Sequence, residues 1–231
     1  MLFDRAAIAT ESLTAGRRRL PPALASLEAD SKPIRVAIET LRPTQMAVGM
    51  RAVTYKRRKF ENRASKPRDI DRVLSRRPIP AVRAPSGELF IVDNHHFALA
   101  LWQAEVEAAY AHVIADKSHM STSAFFRQME AAGFLYPFDE EGNRVRPERL
   151  PNWLHALRHD PYRDLAWEVR EAGAFTKVGV PYSEFRWATF FRGHIPMRAI
   201  RGDHEGAVRK ALKLARSREA ADLPGFVGAR N

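Results

Sequence analysis

The chain has 231 residues, 45% of them hydrophobic and 28% charged, with no cysteine and a formal charge of +11. That composition excludes disulfides, thiolate nucleophiles, Fe–S clusters and any Cys-ligated metal, and it excludes a disordered chain. The longest apolar run, Phe97 to Trp102, is far short of the roughly 20 residues of a membrane span. Asp4, Arg5 and Glu11 interrupt Met1 to Leu20, where a signal peptide would need its apolar stretch. A cytoplasmic protein with no membrane partner is expected, built as one generous domain or a core with an appendage.

Arg17, Arg18 and Arg19 form a first basic cluster. Ile34, Val36 and Ile38 alternate with Arg35, Ala37 and Glu39, the period of a half-buried strand. Pro43 and Thr44 carry a helix-start signal, since a Thr hydroxyl can cap a free amide. Met46, Met50 and Val53 would then lie on one apolar stripe of that helix, as core residues. Arg51 to Arg77 holds eleven Lys and Arg against Glu61, Asp69 and Asp71. Such a patch attracts polyanions, though a solvated helix face has the same composition.

Pro78 to Ala84 and Glu88 to Val92 read as a hairpin around Pro85-Ser86-Gly87. Asp93-Asn94-His95-His96 leads into Phe97 to Trp102, apolar on most sides and so a buried helix. Val106, Ala108, Tyr110 and His112 alternate as another strand. Ser121 opens a helix that Gly133 closes. An extended segment at Phe134 to Phe138 and a turn at Asp139 to Asn143 follow. Asp160-Pro161 starts a helix that Gly173 ends, Tyr182 to Arg192 makes another closed by Gly193, and Val208 to Ala220 is basic with Val208, Leu212 and Ala215 inward. Trp153, Trp167, Phe185, Trp187, Phe190 and Phe191 are expected to form the core of this helical half rather than a stacking platform.

The chemistry concentrates in Asp93-Asn94-His95-His96. Polar side chains at a strand-to-helix junction meet unpaired amides and the positive end of a helix dipole, which together suit a phosphate. An imidazole there can donate to a phosphate oxygen, and Asp93 can cap the helix or orient a histidine. An ordinary cap with locally satisfied histidines has the same sequence. His155 with His159, and His194 with Asp203 and His204, suit surface or capping roles better than metal binding. Asp116, Ser118 and His119 lack the glycine elbow of a serine hydrolase. The helix pair after Asp160 is joined by too long a loop for a helix-turn-helix, and no carboxylate cluster of a nuclease stands out.

Leu41-Arg42-Pro43-Thr44-Gln45 with Gly49, then Pro80 to Arg83, Gly87 to Phe90 and Val92 to His96, resemble the ParB/sulfiredoxin fold over about 80 residues, and most closely the putative ParB-like nucleases. The resemblance implies an α/β (α+β) core at 30–117, an N-terminal extension at 1–29 and a mostly helical region at 118–231 packed on the core. It implies a pocket for a nucleotide or phosphorylated small molecule, with Mg2+ accompanying a nucleotide, and phosphotransfer or phosphohydrolysis as the chemistry. The sulfiredoxin branch needs a cysteine that is absent. Against the Asp-Gly-His-His-Arg box of free-serine kinases, Asn94 replaces Gly and Phe97 replaces Arg, which removes a bidentate clamp. Lys56, Arg57 and Arg42 are the substitutes at hand. The kinase base has Gln45 as its nearest counterpart, and an amide cannot take a proton, so Glu39 stands in for it. The resulting expectation places Asp93, His95, His96 and Glu39 in catalysis, and Asn94, His96, Thr44, Gln45, Lys56 and Arg57 on phosphate. The alternative is a nucleic-acid binder or nuclease that uses the Arg51–Arg77 patch.

Overall fold

The computed structural model describes residues 32–64 and 66–228. The Arg17–Arg19 cluster and the expected 1–29 extension lie outside them. Five strands form one sheet: β1 (Ile34–Ala37), β2 (Leu41–Pro43), β4 (Ile79–Arg83), β5 (Leu89–Ile91) and β6 (Ala108–Asp116), in the order β1-β6-β4-β5-β2. β1 runs antiparallel to β6, and β4 antiparallel to β5 as the expected hairpin, with Gly87 at a φ of 84° in its turn. β6 lies parallel to β4, and β2 parallel to β5. A separate pair joins β3 (Ala47–Val48) to β7 (Arg158–His159). Eight α-helices, among the described residues, complete this α+β fold: α1 (Met50–Glu61), α2 (Pro67–Ser75), α3 (His95–Gln103), α4 (Thr122–Ala131), α5 (Pro161–Glu171), α6 (Ser183–His194), α7 (Met197–Gly202) and α8 (His204–Ala215).

Successive strand residues serve opposite faces of the sheet. Ile79, Ala81, Leu89 and Ile91 face α1 and α3, where Val53, Phe60, Phe97, Leu99 and Leu101 fill the layer. Val82, Ala84 and the half-buried Phe90 face the other way, onto Phe125 and Met129 of α4 and the Phe134–Leu135 segment. The last four helices hold a third cluster around Trp187, Phe175 and Phe191. At roughly 1.5–3 kcal/mol for each fully buried large apolar side chain, these layers supply the main favourable contribution to folding.

Several expectations change. The chain does not enter a helix at Thr44: Leu41–Pro43 pairs with β5, β3 follows, and α1 begins only after Gly49. Proline at 43 is compatible with an edge strand, and the partner strand outweighs the local cap signal. Met46 therefore leaves the α1 stripe and packs among Val82, Phe125 and Leu135. α6 runs through Gly193 to His194, and α8 buries Ala207, Ala211 and Ala215 instead of Val208 and Leu212, which are only partly covered. Trp153 is not core: it is 44% exposed. Ser121 caps α4, and Asp160 caps α5 through Tyr162, both as expected. Among the described residues no helix is long and apolar enough to cross a membrane.

Candidate functional site

β5 delivers the polar box to the start of α3. Asn94 takes the left-handed conformation at a φ of 66°, a conformation Asn tolerates, and its amide donates to Asp93 Oδ1 at 2.6 Å. The next two side chains turn inward. His95 is 6% exposed, and its Nε2 accepts the Thr44 amide at 3.1 Å, while the Thr44 hydroxyl donates to the Ile91 carbonyl at 2.8 Å. His96 Nε2 accepts the Gly49 amide at 3.2 Å. An imidazole nitrogen that accepts an N–H carries no proton, so the geometry assigns both rings as neutral, with the hydrogen on Nδ1. Electrostatics agree. Burial pulls the His95 pKa down to about 4, with Asp93 pushing it back up and Arg163 lowering it further. Burial, then Arg163, Lys56, His95 and Arg170, hold His96 well below the usual imidazole value.

The two histidines thus pin the Thr44–Gly49 loop to α3. Gln45 is buried in the same loop and donates to the Ala47 carbonyl at 3.0 Å. Gly49 has a second task. A Cβ there would stand 2.4 Å from Asp164 Oδ1, so only glycine lets that carboxylate approach. Asp164, 1% exposed, accepts the Arg51 amide in the first turn of α1 at 2.9 Å, and its other oxygen takes His159 Nε2 at 2.7 Å. A carboxylate from α5 thereby caps α1.

The neighbouring residue, Arg163, is 4% exposed. Its guanidinium lies 3.6 Å over the Phe185 ring, and Nη2 reaches Glu184 at 3.5 Å. Nε and Nη1 are buried with no hydrogen-bond partner among the described residues. Burial raises the Glu184 carboxyl, but Arg163, Arg170, Lys177 and Lys56 outweigh it and hold the group below the usual carboxylate range. Arg170 is ion-paired with Glu184 and Glu171. Arg163 depresses both box histidines, and its backbone lies against Gly49, whose amide His96 accepts.

The residues expected to act are therefore only partly brought together. His95, His96, Thr44 and Gln45 converge, and Lys56 on α1 reaches the field of His96. Arg57 pairs with Glu61 of its own helix at 3.6 Å, and Arg42 with Glu88 at 2.6 Å. Glu39 stays exposed in the 3-10 turn before β2. Because Leu41 pairs with Leu89 and Pro43 with Ile91, that turn sits at the opposite end of β2 from the box. Arg163, Asp164 and Glu184 were not expected. The single signal for Arg163 was a cation in the first turn of a helix, where the dipole disfavours it. As for Mg2+, no three His, Asp or Glu side chains come together as a metal site among the described residues. Asp93 is the one carboxylate of the box. Such a donor set fits a cation carried in on phosphate oxygens and its own waters, not a protein-built centre.

His159 and His155 share no helix face: one pairs with Asp164, the other stacks beside Trp102 and Trp153. His204 bonds Glu168 and His194 bonds Glu219, while Asp203 caps α8 through Gly206.

Strand order, box and helical cover together define a ParB-like fold. The chain belongs to the family described as Putative ParB-like nuclease, whose model matches residues 34–193 and so spans both the sheet and the α5–α6 pair. It is similar to the crystal structure of protein Atu1540 from Agrobacterium tumefaciens, at 36% identity and a TM-score of 0.79, over 87% of this chain and 100% of that one. No curated protein matches.

Proposed function

We propose that the protein binds a phosphorylated small molecule or nucleotide, with the phosphoryl group against Arg163, His96 and Lys56, and that transfer or hydrolysis of that group is its chemistry. The observation that carries this is the buried guanidinium with two unpartnered nitrogens beside the box. A buried N–H without an acceptor costs about 1–3 kcal/mol, more when charged. An anion of the right shape recovers that cost. Arg163 takes over the phosphate clamp that Phe97 removes from the box. His96, with its proton on Nδ1, is a neutral donor rather than an acid, and His95 is a structural acceptor that holds the loop. Asp93 orients the box through the Asn94 amide and is placed to meet a cation that a nucleotide brings.

The test is a thermal-shift panel of inorganic phosphate, pyrophosphate, phosphomonoesters and nucleotides, with and without magnesium, on wild type and His96→Ala. A ligand at a hundred times its dissociation constant stabilises by about 2.7 kcal/mol, which moves the melting point by a few degrees. A shift in wild type that His96→Ala loses is the expected result. No shift with any compound sinks the reading.

A second reading, a nucleic-acid binder, is favoured by the family and by the exposed Arg51 and Arg58 on α1 with Arg68, Arg72 and Arg76 on and beside α2. It predicts a salt dependence of about one log–log unit per phosphate contacted, which a buried small-molecule site does not share.

A further inference from the structure

Phosphoryl chemistry needs a group that takes a proton from the attacking oxygen. The box has no such group to give. Each proton-free imidazole nitrogen already accepts a backbone amide, and Asp93 is exposed and holds the Asn94 amide. Glu39 lies at the far end of β2, Glu184 is ion-paired with Arg163 and Arg170, and Asp164 gives its two oxygens to the Arg51 amide and His159. Asp160 remains. It caps α5 one turn before Arg163, whose amide its carbonyl accepts at 3.0 Å, and it is 4% exposed. Residues three apart in a helical turn are neighbours, so the carboxylate stands beside the guanidinium.

A cavity of about 10 Å3 opens at this carboxylate, about the size that holds one water. Ala47 of the loop held by the box, Tyr136, Phe185 and Arg192 line it as well. Phe185 also carries the Arg163 guanidinium 3.6 Å over its ring, so cavity and guanidinium adjoin. Arg192 Nη2 donates to Asp160 Oδ2 at 2.7 Å, whereas its Nε is buried with no partner among the described residues. Nε and Nη2 donate along one edge of a guanidinium, so an acceptor on Nε stands next to the oxygen on Nη2. A water there accepts from Arg192 and donates to Asp160, which leaves no buried donor of Arg192 unsatisfied on that edge. Asp139 lines the cavity too, but the Glu141 and Asn143 amides occupy it.

Resting on the phosphoryl reading above, we infer that the reaction is hydrolysis, with the water held between Arg192 and Asp160 as the nucleophile and Asp160 as its base. The water oxygen bonds to phosphorus as the bond from phosphorus to the bridging oxygen breaks. One water proton passes to Asp160 and from there, through solvent, to the departing oxygen; the other stays on the inorganic phosphate. The surroundings suit a base: burial pushes the Asp160 pKa up, with Arg192, the Tyr162 amide and Arg163 drawing it back.

The experiment incubates the full chain with p-nitrophenyl phosphate, pyrophosphate or ATP and magnesium in water labelled with oxygen-18. Melting is followed on the same samples. The expected product is inorganic phosphate carrying the label. Asp160→Asn keeps an oxygen for the Tyr162 amide, so it is expected to retain the ligand-induced melting shift while kcat falls about a hundredfold or more. Arg192→Lys keeps a cation opposite Asp160 and removes Nε; it is expected to lower kcat with KM little changed, and it decides the matter should Asp160→Asn misfold. Full turnover in both variants overturns the inference. So does unlabelled phosphate passed to another acceptor, or a compound that raises the melting point of wild type, loses that effect in Arg163→Met and is never cleaved. Absence of any melting shift is the separate result that fails the phosphoryl reading itself and this inference with it.

Discussion

The box at the start of α3 and the first turn of α5 both bury polar side chains, and they do so in opposite ways. His95 and His96 enter the interior neutral, each with its acceptor nitrogen on a backbone amide of the same loop. Arg163 enters charged, and two of its nitrogens find no acceptor among the described residues. A satisfied buried group explains itself through the structure it holds, whereas a buried cation left unsatisfied points beyond the protein. On the proposed reading the roles that the box residues suggest by type are divided: His95 holds the loop, His96 keeps a neutral donor on Nδ1, and Arg163 from the helical half supplies the charge.

The sharpest way to break the positioning side of this comparison is Gly49→Ala. Its Cβ would press on Asp164 Oδ1 and on the α5 backbone, so both the His96 bond and the α1 cap must give way. A loss of about 3–4 kcal/mol in urea unfolding is expected from overpacking together with the lost cap. A loss below about 1 kcal/mol would mean the loop is not held as described.

The next largest effect is acid sensitivity. Burial holds the His95 pKa at about 4 in the folded protein, against about 6.5 in an unfolded chain. As pH falls through 6.5 the unfolded state gains the proton first, so stability is full above that pH and declines towards 4. The window corresponds to about 3 kcal/mol. His95→Gln keeps an acceptor for the Thr44 amide and removes the titration. Unfolding measured from pH 7 to 4 is expected to show a shallower decline in the variant, and parallel curves would contradict the neutral buried imidazole.

Smaller still is Asp164→Ala, which removes the cap on Arg51 and the partner of His159. About 1–2 kcal/mol is expected, accompanied by faster hydrogen exchange in the first turn of α1. Unaltered exchange there would show that the cap is idle.

Much of this was legible in the sequence, and for identifiable reasons. The hairpin, α3, α4 and the start of α5 follow from strand alternation and from Ser121, Asp160 and Pro161, all local signals. The Pro43-Thr44 cap signal misled because β2 pairs with β5, a contact 48 residues away in sequence at Leu41 and Leu89. The box was visible as a cluster of residue types, but the direction of its imidazoles depends on Thr44 and Gly49 returning to meet them. Arg163 and Asp164 stand in the first turn of α5, where no local pattern tells which way each side chain faces. That one faces α6 and the box while the other caps α1 follows only from how α5 packs, as does the exposure of Trp153.

The most direct test of the central claim is Arg163→Met, a similar volume without the charge. Melting is measured with and without whichever phosphorylated compound stabilises wild type. Because the guanidinium is poorly satisfied when no ligand is bound, the variant alone should melt no lower than wild type, and the ligand-induced shift of a few degrees should vanish. A variant that melts well below wild type yet still responds fully to the ligand would contradict the account and make Arg163 a structural cation.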